Sequence, residues 1–80
     1  MPQFLVQNLS DKPVKLGIEP WADLEMLMPE GRVVFEYVEP AEIAFAVMND
    51  NRTVVSIVSE WIRISAGGRE KIFRLPPGEY

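Results

Sequence analysis

Eighty residues, 48% of them hydrophobic and 25% charged, make one ordinary globular domain, too apolar for disorder and small enough to bury only about 60–65% of its unfolded surface. The chain has no histidine and no cysteine, which removes the commonest general base, the thiolate nucleophile and the soft metal ligands, and leaves no disulfide to brace the core. The net charge is −4, and the acidic centre of the chain argues against a phosphate backbone as partner, which needs a continuous basic footprint.

The N-terminal segment Met1–Asn8 has no basic region, and no stretch of the chain approaches the ~18 apolar residues of a membrane span. A soluble, unexported, cytoplasmic chain is expected, and the lack of cysteine agrees with a reducing compartment. Prolines and glycines then punctuate the sequence at the short intervals of an antiparallel β domain. Phe4 to Leu9 predicts a first strand, and Ser10-Asp11-Lys12-Pro13 has turn chemistry. Val14, Leu16 and Ile18 alternate with Lys15, Gly17 and Glu19, a period of two that puts one face in the core.

Glu19-Pro20-Trp21 ends that strand, because proline has no ladder donor. Residues 21–28 include good helix formers, yet Leu24, Met26 and Met28 alternate with Asp23, Glu25 and Leu27, and the segment is short and flanked by strands. We read it as a strand. Pro29-Glu30-Gly31 predicts a turn before a β-branched and aromatic run from Arg32 to Glu39, with Val33, Phe35 and Tyr37 on one face. Glu42 to Met48 is apolar on both faces, the pattern of a central strand. Asn49-Asp50-Asn51-Arg52 is a hairpin signal, Thr53 to Ala66 is one long bent strand or two, and Gly67-Gly68 turns the chain onto Lys71–Leu75. Residues 76–80, with Pro76-Pro77, should form an extended tail. The expected fold is all-β, a small antiparallel sandwich or partly open barrel of about seven strands, with residues 1–80 as a single domain.

The run Asn8-Leu9-Ser10-Asp11-Lys12-Pro13-Val14, then Ile18-Glu19-Pro20-Trp21 and Pro29-Glu30-Gly31, resembles a group of short uncharacterised bacterial all-β proteins with an N-x-S turn, an E-P-W segment and a P-x-G turn. The likeness spans roughly the first 38 residues, and turn chemistry accounts for much of it. Ala22 stands where that group commonly has glycine, which bears on the local turn geometry. The group carries no assigned activity, so the resemblance implies a β fold and no catalytic residues.

Catalysis here would have to use Ser, Thr, Lys, Tyr or carboxylates. Pairs such as Glu19 with Asp23, or Glu36 with Glu60, have the residue types for acid–base work, but solvated strand and turn positions are the simpler reading. No G-x-S-x-G, P-loop or G-x-G-x-x-G spacing occurs, and no enzyme is expected. Cupredoxin-like sandwiches need His and Cys ligands for copper, and both are missing here. Hard-metal capture by Asp23, Glu25, Asn49 and Asp50 lacks the repeated spacing of a calcium loop, so neither a metal nor a cofactor is expected.

Charge is unevenly spread: residues 19–50 hold eight acids against Arg32 alone, a segment charge of −7, whereas residues 51–80 carry +2. If the sheet joins these segments, cross-strand ion pairs should form. Trp21 beside Pro20 is either a flat ring offered to a sugar, a peptide or a subunit, or a cap folded over the barrel end. Trp61 shares a strand face with Arg63, which can stack near it. The sequence thus points to a non-catalytic protein-binding or accessory module, self-associating or joined to a protein partner, a homodimer being the simplest self-association. Neither nucleic acid nor membrane is expected as a partner. The binding residues would be Glu19, Pro20, Trp21, Tyr37, Trp61 and Arg63. A small carbohydrate-binding domain using Trp21, Trp61 or Tyr37 as stacking platforms is the alternative.

Overall fold

The computed structural model describes residues 1–48 and 52–74, which form eight strands and no helix. They are β1 (Gln3–Gln7), β2 (Val14–Glu19), β3 (Asp23–Leu27), β4 (Arg32–Tyr37), β5 (Glu42–Val47), β6 (Arg52–Val58), β7 (Trp61–Ala66) and β8 (Arg69–Arg74). The expected all-β sandwich is present. Its long segment from Thr53 resolves into two strands, β6 and β7, because Ser59 and Glu60 turn the chain between the sheets. The Asn49–Asn51 part of the hairpin signal and the extended tail lie outside the described residues.

One sheet has the order β1-β4-β7-β8 and the other β3-β2-β6-β5. Every pairing is antiparallel except β2 with β6, which run parallel. Period-two alternation turns Leu16 and Ile18 of β2 and Val55 and Ile57 of β6 toward Val33 and Phe35 of β4 and Ile62 and Ile64 of β7, all fully or almost fully buried. Of the core residues only Leu27 comes from an edge strand. The centre of each sheet therefore supplies the stability, and the edges are left to do other things.

Two buried polar side chains knit the turns to this core. The Asn8 amide donates to Lys12 O at 2.8 Å and to Leu27 O at 2.9 Å, while its Oδ1 accepts from the Ser10 N–H and hydroxyl. Ser59 Oγ lies 2.8 Å from Val38 O and accepts from the Val38 N–H, tying the end of β4 to the β6–β7 turn. The Pro29-Glu30-Gly31 turn is closed by Gly31 N–H donating to Met28 O at 2.8 Å. A Cβ on Gly31 would stand 2.8 Å from that same oxygen, so the position has no room for a side chain.

One expectation about strand environment is corrected, and the structure decides a second point that the alternation left open. Glu42–Met48 is not central: β5 is the outer strand of its sheet, because its apolar inner face overhangs the core instead of being covered by it. In β3 the buried residues are Glu25 and Leu27, leaving Leu24, Met26 and Met28 exposed. Pairing with β2 decides this, since Leu16 stands opposite Glu25 and Val14 opposite Leu27.

Candidate functional site

At one side of the sandwich, β3 and β8 face each other across the open edge between the sheets. Asp23 and Glu25 point inward from β3, and register with the inward residues of β7 turns Lys71 and Arg69 inward from β8. Lys71 Nζ lies 3.1 Å from both Asp23 oxygens and 2.9 Å from Glu25 Oε1, with Arg69 at 3.6 Å from Glu25 Oε2. The hydrogen bond to Glu25 raises the Lys71 ammonium above its ordinary value, and Asp23 adds to it against the cost of burial. Charges that would be costly alone thus close the edge as a matched group.

Trp21 completes this side. Its ring packs on Phe73 with centroids 5.4 Å apart, and its Nε1–H donates to Arg74 O at 3.2 Å, so the indole is half-buried and folded back onto β8. Glu19 and Pro20 are exposed beside it. Glu19 and Asp23 lie on opposite faces of their sheet, because Asp23 stands opposite the inward Ile18. Asp23 is committed to Lys71 in any case.

On the outer face of the other sheet, Glu36 and Arg63 are register partners on β4 and β7 and form a cross-strand ion pair. Arg63 also lies over the Trp61 ring at 5.8 Å from its centroid. Tyr37 faces the opposite way, its ring 6.0 Å from Phe4. The structure therefore brings Trp61 and Arg63 together, places Glu19, Pro20 and Trp21 at the β3–β8 side, and sets Tyr37 apart from both. Trp21, Trp61 and Tyr37 are all half-buried and share no face on which one flat ligand could stack. Among the described residues no cluster of three acidic side chains is disposed to hold a metal ion.

The opposite side of the sandwich has a different chemistry. Phe4 stacks on the buried Phe35 at 4.8 Å, and Phe45 of β5 rests edge-on against Phe4 at 5.8 Å, an aromatic series running from the core to the surface. Phe45 is 60% exposed and Val47 81%, although both lie on the inward-facing side of their strand. No ion pair closes this edge among the described residues. This apolar, open side was missed in the sequence because an apolar strand at an edge and one at the centre carry the same residue pattern.

No protein-family model, curated protein or solved structure matches this chain. Among the described residues no helix is long and apolar enough to cross a membrane.

Proposed function

We propose that this protein is a non-catalytic contact module that binds another polypeptide at the β5 side of its sandwich. The observation that carries the reading is the exposure of Phe45 and Val47 on a strand whose outer backbone edge pairs with no other strand among the described residues. Strand addition supplies main-chain hydrogen bonds to such an edge, and side-chain pockets beside it supply selectivity. One member of each carboxylate pair considered for acid–base work supports the same reading, since Asp23 and Glu36 are each held by a basic neighbour. A cysteine-free chain of this composition suits a reducing cytoplasm.

The test uses the tagged protein as bait, together with light scattering over a dilution series. A stoichiometric complex, with itself or with another protein, that is lost in Val47→Lys supports the reading. A strict monomer without a binder, or a complex indifferent to Val47→Lys, overturns it.

A further inference from the structure

Sheet edges normally carry a device that stops them pairing with other chains, such as inward charges, lysine, proline or a bulge. Three of the four edge strands here are protected by polar or charged groups. β3 turns Asp23 and Glu25 inward, β8 carries Arg69, Glu70, Lys71 and Arg74, and β1 follows Pro2 and presents Gln3 and Gln7. β5 has nothing comparable after Glu42: Ile43-Ala44-Phe45-Ala46-Val47 is uncharged and exposed over its last four positions.

The backbone of that edge has a definite orientation. Met48 N–H donates to Arg52 O at 2.7 Å, which makes these two residues a hydrogen-bonded pair of the β5–β6 hairpin. Hydrogen-bonded and non-bonded pairs alternate along an antiparallel ladder. Ala46, Ala44 and Glu42 therefore also direct their N–H and C=O groups toward β6. Ile43, Phe45 and Val47 direct theirs outward, a row of donors and acceptors with no strand beside it among the described residues.

We propose that β5 pairs antiparallel with β5 of a second copy about a two-fold axis through Phe45, merging two four-stranded sheets into one. The proposal rests on the contact reading above and names the occupant of that site. Counting hydrogen bonds selects the register. With Phe45 opposite Phe45, Ile43 stands opposite Val47 on both sides of the axis, and six hydrogen bonds use every outward group of the strand. An axis at Ala44 or Ala46 leaves only four within the strand.

Side chains agree with that register. Each Glu42 falls opposite Met48 instead of another acid, the inner face meets apolar on apolar, and Ala44 meets Ala46 on the outer face. A short edge contact buries less than the roughly 800 Å² per partner of a standard interface, so the dimer should be weak and concentration-dependent. A twofold, self-complementary contact also closes on itself and does not propagate into fibres.

The absence of cysteine makes the register directly readable. In the proposed pairing residue 44 of one copy faces residue 46 of the other with Cα atoms about 4.5 Å apart, within disulfide reach, whereas 44 to 44 and 46 to 46 are diagonal at about 7–8 Å. Light scattering from about 10 μM to about 1 mM should show the mass rising from 9.1 kDa toward twice that value. Under mild oxidation, a mixture of Ala44→Cys and Ala46→Cys chains should crosslink far faster than either variant alone. Val47→Lys, at a position already 81% exposed, should keep the wild-type circular dichroism spectrum. It should weaken the dimer by roughly tenfold or more, since it removes one cross-strand contact on each side of the axis.

A monomer at every concentration overturns the proposal, as does a dimer that either cysteine variant alone crosslinks equally fast. If the monomer instead captures a different protein through Val47, self-pairing fails and the contact reading stands. A monomer that captures nothing ends both.

Discussion

Asn8 shows how much a single side chain can carry in a domain this small. Its amide donates to carbonyls in two separate segments, and its backbone exchanges hydrogen bonds with Glu30 and Gly31. Replacing it removes the buried donor to Leu27 O, at about 1–3 kcal/mol, while Lys12 O keeps the Ser10 hydroxyl as a donor. Asn8→Ala is expected to cost about 1–3 kcal/mol in urea unfolding, and Asn8→Asp at least as much, because a carboxylate cannot donate to Lys12 O and Leu27 O. An Asn8→Asp variant as stable as wild type would show that these donors are dispensable. Ala22 presents the opposite case. Its φ of 55° is left-handed, a region costly for a residue with a Cβ and free for glycine. Ala22→Gly is expected to be neutral or to stabilise by up to about 1 kcal/mol, whereas most Ala→Gly changes destabilise; a clear loss in melting temperature would contradict the strain.

At the scale of elements, the two sides of the sandwich differ in chemistry. The β3–β8 side is closed by Lys71 between Asp23 and Glu25 with Trp21 packed on Phe73, whereas the β1–β5 side carries the Phe4–Phe45 contact and, among the described residues, no ion pair. Lys71→Met leaves Glu25 inside with only the more distant Arg69, and should cost about 1–3 kcal/mol, less than for a fully buried pair because Lys71 is 37% exposed. Adding Glu25→Gln should recover much of that loss, and a double variant no more stable than Lys71→Met would argue against a coupled pair. The pH dependence follows from the raised Lys71 value: a cation favoured in the folded state stabilises fully below the ordinary lysine range. On the alkaline side that contribution should disappear as pH climbs beyond about 10.4 and through the higher folded value. Urea midpoints of wild type and Lys71→Met should converge there.

For the whole molecule, the relevant magnitude is total stability, about 4–12 kcal/mol for a domain of this length. Phe35 is fully buried at the foot of the aromatic series. Phe35→Ala should cost about 3–5 kcal/mol, a large share of the whole, and should lower the melting temperature sharply or leave the chain unfolded. A variant that melts within a few degrees of wild type would mean that the two sheets repack easily.

Much of this architecture was legible in the residues themselves. The alternation of Val14, Leu16 and Ile18, the Val33-Phe35-Tyr37 face and the Gly67-Gly68 hairpin each follow from backbone geometry within a few residues, where side-chain direction and turn conformation are local properties. The shared face of Trp61 and Arg63 was legible for the same reason. The parallel pairing of β2 with β6, the burial of Glu25 instead of Met26, and the place of β5 at an edge were not. Each depends on which distant strand lies alongside. An amphipathic or doubly apolar strand states that it has faces to bury, but only its neighbours determine which face is covered, and by what.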